Sequence, residues 1–80
     1  MYIKRHKVAD FRHKDYYFKI VQDKETNEYI YERYEYRHQF AGGKRDGYWQ
    51  KVIEDRYKDY TEASERMARQ IYTLVHDSYM

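Results

Sequence analysis

An α+β fold, with an antiparallel sheet of three to four strands packed against one C-terminal helix, is predicted by three features of the sequence. Aromatic and charged residues alternate through its first two thirds. All three glycines fall in one short segment, Ala41–Gly47. From residue 61 onward apolar residues recur at helical spacing.

Each element follows from its own pattern. Tyr2–Val8 reads as an N-terminal strand with no apolar face on either parity, and its lysines suit a sheet edge, where they discourage pairing with a neighbouring molecule. Asp15–Gln22 sets Tyr16, Phe18 and Ile20 against Tyr17, Lys19 and Val21, a period of two in strand-forming residues. Asp23–Asn27 is a polar turn. Glu28–Phe40 resumes the pattern with Tyr29 and Tyr31 on one parity and Tyr34 and Tyr36 on the other. Either both faces carry tyrosine or a bulge near Glu32-Arg33 shifts the register. Ala41–Gly47 is a glycine loop containing the turn dipeptide Asp46-Gly47.

Tyr48–Tyr57 fits a helix and a strand about equally by spacing; the hairpin-like loop before it selects strand. Thr61 is the expected N-cap. Glu62 and Glu65 favour the positive end of the helix, and Glu62/Arg66 and Glu65/Arg69 form i,i+4 pairs. Ala63, Met67, Ile71, Leu74 and Val75 form the stripe that should cover the sheet.

Bulk composition narrows the function. With 80 residues the chain suffices for one small domain, 1–80, with a thin core. Without cysteine it is not a disulfide-stapled secreted scaffold. Charged residues make up 38% and mean hydropathy is -1.29, yet 20% aromatics and no proline argue for order. No apolar run approaches the roughly 20 residues that span a bilayer, and the N-terminus lacks a signal peptide's apolar core. A cytoplasmic setting without membrane contact is expected. The net charge of +2 is uneven: five cations against Asp10 make residues 1–14 +4, leaving the rest at −2. A basic N-terminal segment on a mildly acidic body suits phosphate or an acidic protein surface.

Catalytic patterns are weak. His6, His13, His38 and His76 lack cysteine partners and compact ligand spacing, while Ser64 and Ser78 lie within or at the end of the helix, without the strained turn of a nucleophile. Acid–base work by Glu32, Glu35, Glu54 or Asp55 would need a cleft that raises a carboxylate pKa. Gly42-Gly43-Lys44 is followed by Arg45, unlike a phosphate-binding loop. No catalytic, cofactor or metal site is expected.

Recognition fits better. Tyrosine, tryptophan and arginine are the usual interface anchors, and mixed charge selects partners. The expected partner surface is the hairpin carrying Arg33, Tyr34, Arg37, Lys44, Arg45 and Trp49. Direct DNA or RNA binding through the N-terminal segment and the sheet is the alternative. Glu32 and Glu35 interrupt its cations, and the pI of 8.7 is below that of a dedicated nucleic-acid binder.

Tyr57-Lys58-Asp59-Tyr60-Thr61-Glu62-Ala63-Ser64-Glu65-Arg66 resembles the strand-to-helix step of small phage-encoded domains. Over Tyr16–Val75 the element order is similar to the arm-binding domains of tyrosine recombinases. Size and aromatic-charged composition resemble the small phage-encoded inhibitors of host defence, including the anti-CRISPR type, which share no motif from which residue roles could be carried over. That resemblance implies a non-enzymatic protein in the host cytoplasm that docks on a host defence or nucleic-acid-processing protein or ribonucleoprotein complex; a homodimer is compatible with it.

Overall fold

The computed structural model describes residues 5–41 and 44–76, with the backbone alone for residues 39–41 and 44–46. Four antiparallel strands, β1 (Arg5–His13), β2 (Tyr16–Asp23), β3 (Tyr29–Ala41) and β4 (Lys44–Tyr57), form a meander in chain order. Helix α1 (Tyr60–Ile71) follows and ends in a π-helical turn, Tyr72–His76. The α+β architecture is as the sequence predicts, with four strands and one helical layer.

Pairing sorts the side chains onto two faces. Tyr31 sits opposite Ile20 and Asp55, while Arg33 sits opposite Phe18 and Ile53. This parity faces α1. Phe18, Ile20, Tyr31 and Ala63 are fully buried there, and Met67, Ile71, Leu74 and Val75 pack around them as the helical stripe requires. Ala63 is the close-approach point, since a small residue lets the helix backbone settle on Phe18 and Tyr31. Two polar links flank this core: Arg33 Nη1 donates to Gln70 Oε1 at 2.6 Å, and Arg66 lies 3.5 Å from Asp55.

Several boundaries depart from the sequence reading. The first strand spans Arg5–His13, not Tyr2–Val8, whose first three residues lie outside the described residues. It does occupy an edge. Its Ala9 packs on the helix-side core and its Phe11 ring lies 6.2 Å from Phe18, so the basic segment is mostly strand rather than a free arm. Asp46-Gly47 is no turn. Ala41 pairs with Lys44 and His38 with Gly47, so the ladder runs past Gly47 as far as Ala41 and Lys44.

The N-cap is Asp59, whose carboxylate accepts the Thr61 N–H at 2.8 Å; its extended backbone suits the cap position, and Thr61 is already helical. The bulge beside Arg33 is carried by β4, where Val52 has no partner between Ile53 and Lys51. β3 itself stays regular against β2, so tyrosines do occupy both faces. A second bulge leaves Val8 unpaired on β1. Both bulges therefore fall on edge strands, where they disrupt templates for intermolecular pairing.

The tight β1–β2 turn holds Lys14 at φ 53, and Asn27 takes φ 63 in the next turn, a conformation asparagine tolerates. That second turn is fastened by Asp23. Its carboxylate accepts the Glu25 N–H at 2.9 Å and its carbonyl the Asn27 N–H at 2.7 Å. The Glu25 N–H, with Arg56 alongside, holds the Asp23 carboxyl below the usual range.

Tyr31 is fully buried and its hydroxyl has no hydrogen-bond partner among the described residues. Burial pushes its pKa up to about 12. A raised folded-state pKa leaves stability intact below the unfolded value near 10 and erodes it as pH climbs through 12. Replacing Tyr31 by Phe keeps the ring and removes an orphaned hydroxyl that costs about 1–3 kcal/mol. Thermal melts should show an unchanged or higher midpoint for Tyr31→Phe at neutral pH, and a smaller alkaline loss of stability. A clear drop at neutral pH would show that the hydroxyl has a partner.

Candidate functional site

Among the described residues, the opposite parity of the sheet has no helix over it. Across this face β1 presents Arg5, Lys7, Asp10 and Arg12; β2 presents Tyr17, Lys19, Val21 and Asp23; β3 presents Ile30, Glu32, Tyr34, Tyr36 and His38; β4 presents Trp49, Lys51, Glu54 and Arg56. Such a surface is exposed by topology, yet its middle is not. Ile30 and Val21 are buried, and the Glu32 side chain is only 3% exposed.

Glu32 is the electrostatic centre. Its carboxylate meets Arg5 at 3.3 Å, Lys19 at 3.5 Å and Lys51 at 3.2 Å, and accepts the Tyr34 hydroxyl at 3.1 Å. These partners come from all four strands. Lys51 also binds Glu54 at 2.6 Å, a contact that holds the Glu54 carboxyl low and raises the Lys51 ammonium.

Beside this cluster lies a shallow groove of about 330 Å³ lined by Arg12, Tyr17, Lys19, Tyr34 and Trp49. Tyr17 and Tyr34 are register partners with ring centroids 5.9 Å apart, and form its floor. Trp49 meets Tyr17 edge-on at 6.2 Å and Tyr36 at 5.2 Å. The Arg12 guanidinium reaches across from the other edge strand to 5.2 Å from the Trp49 ring. The Lys19 ammonium stands 5.2 Å from the Tyr34 ring and 5.9 Å from that of Tyr17. The Tyr17 hydroxyl donates to Asp10 at 3.1 Å and that of Tyr34 to Glu32. Burial first, then these carboxylates, raises the pKa of both phenols, so both remain protonated donors.

The residues expected to form one surface are divided by the pleat. Tyr34 and Trp49 share the groove. Arg33 and Arg37 stand on the helix side, Arg33 bound to Gln70 and to Glu35 at 3.1 Å, and Arg37 bound to Gln50 at 2.7 Å and Glu35 at 3.4 Å. The side chains of Lys44 and Arg45 lie outside the described residues. The sequence pattern marks Arg12 only as one cation of the basic N-terminal segment and does not single out Tyr17 and Lys19, although the parity of Tyr17, Lys19 and Val21 already marks one face of β2.

Among the described residues no group of three or more His, Asp or Glu is placed to hold a metal ion, and no helix is long and apolar enough to cross a membrane. Comparison with protein-family models, characterised proteins and solved structures finds no match.

Gly47 positions the outer wall of the groove. A methyl group there would occupy space held by the Tyr36 ring, which in turn packs on Trp49. Because Trp49 is the only tryptophan, its fluorescence reports on the groove alone. Gly47→Ala should displace Tyr36 and shift the Trp49 emission while the helical circular dichroism stays unchanged. Identical emission would mean that Tyr36 does not bear on Trp49 through Gly47.

Proposed function

We propose that the chain is a non-enzymatic binding module that docks on a partner protein with the helix-free face of its sheet. One observation carries the reading: the groove of Tyr17, Tyr34 and Trp49 opens on a face whose carboxylates are already paired. Asp10 pairs with Lys7, Asp23 with Arg56, Glu32 with Arg5, Lys19 and Lys51, and Glu54 with Lys51 and Arg5.

This pattern favours protein over nucleic acid. Phosphate binding draws its affinity from cations that exchange counterions for phosphates, and here most cations on the face are engaged by carboxylates. Aromatic rings set among satisfied charges are instead the composition of a protein interface, with Trp and Tyr as anchors and a polar rim. Glu54 is held ionised by Lys51, the reverse of the raised pKa that a general acid needs. A small inhibitor occupying a host defence or nucleic-acid-processing protein, the class the sequence layout resembles, would use such a face.

The test compares affinity enrichment from host extract by the unmodified protein, by Trp49→Ala and by Tyr72→Ala, the last an exposed residue of the helical layer. A specific partner should be lost with Trp49→Ala, since removing an anchor costs about 2 kcal/mol or roughly thirtyfold in affinity. It should be retained with Tyr72→Ala. Equal retention by both variants would move the interface off the sheet face, and tight, salt-sensitive binding to random duplex DNA would replace the protein partner by nucleic acid.

A further inference from the structure

We infer that the groove receives an acidic segment of the partner, a carboxylate side chain beside an apolar or aromatic one; this rests on the docking reading above. Arg12 stands apart from the other charges of the face. Every other described cation on the helix-free face has a carboxylate within ion-pair distance. Among the described residues Arg12 has none, and its charge lies against the Trp49 ring at 5.2 Å.

A ring face is a weaker partner for a guanidinium than a carboxylate. A guanidinium held only by a ring face leaves its N–H groups without a carboxylate, and its planar fork matches one in a two-point contact. Three other donors of the groove are already engaged, because the Tyr17 hydroxyl donates to Asp10, that of Tyr34 to Glu32, and the Lys19 ammonium pairs with Glu32. What the groove still lacks is an anion over Arg12 and an apolar body on the Tyr17–Tyr34 floor.

The same surroundings select a carboxylate over a polyphosphate backbone. Asp10 and Glu32 border the groove through their bonds to Tyr17 and Tyr34. A single carboxylate docking on Arg12 can avoid both, whereas a strand with a charge at every nucleotide must run past them. The floor supplies ring contacts suited to an adjacent hydrophobic side chain.

Trp49 emission gives the test a direct probe, using short synthetic peptides with a central Phe flanked by Asp and Glu, by Lys, or by Ser, and a single-stranded oligonucleotide. The acidic peptide should shift the emission saturably, weaken as salt rises, and bind about tenfold or more tighter than the Lys and Ser peptides. Arg12→Gln should remove that preference. Arg12 is exposed, so the variant should keep its circular dichroism. No response to the acidic peptide, an equal response to the Lys or Ser peptide, or an undiminished preference in Arg12→Gln would overturn the acidic occupant while leaving the docking face to the enrichment experiment. Tighter binding of the oligonucleotide would overturn both.

Discussion

A carboxylate withdrawn from water on the side of a sheet that no helix covers must be neutralised by the sheet itself, and Glu32 imposes that condition on this fold. Burying an ion costs several kcal/mol unless partners surround it. Arg5 from β1, Lys19 from β2, Tyr34 from β3 and Lys51 from β4 converge on it, so one side chain ties together all four strands. The cations themselves remain partly in water, which screens each pair. Their joint effect is to fix which residues of each strand share the open face.

The two faces therefore divide the work. On one, α1 covers Phe18, Ile20 and Tyr31 and supplies most of the apolar burial. On the other, charge pairs and ring contacts surround the buried Val21 and Ile30. The groove inherits its shape from that arrangement: Tyr34 forms half the floor while donating to Glu32, and Lys19 lies over both floor rings while pairing with the same carboxylate. The bulges at Val52 and Val8 keep this network in phase along strands that otherwise pair regularly, and they blunt the two edges. A face tied together in this way would lower the entropy cost of the docking proposed above.

Much of the fold was legible because it rests on periodicity. The alternation of Asp15–Gln22 and the stripe from Ala63 to Val75 each name the face that meets the other layer. Local chemistry read less well where two residues compete for one role. Asp59 and Thr61 are both capping types, and backbone conformation decides between them. Gly42-Gly43 and Asp46-Gly47 are both turn signals, and only the pairing of Gln39 with Asp46 and His38 with Gly47 shows that the second lies within a strand. The site was the least legible part. Arg33, Tyr34 and Arg37 are close in sequence yet divided by the pleat, while Arg12 and Trp49 meet from opposite edges of the sheet. Glu32 reads in one dimension as an acid that spoils a basic stretch; in three it gathers cations from three other strands.

Whether Glu32 organises the open face can be read from the thermal stability of Glu32→Gln. The amide keeps the shape and can still accept from Tyr34, but it leaves Arg5, Lys19 and Lys51 facing one another without their shared anion. The variant should lose about 2–3 kcal/mol of stability, with the helical circular dichroism retained below the transition. An unchanged melting temperature would contradict it, and would mean that the strands are held by the helix-side core alone.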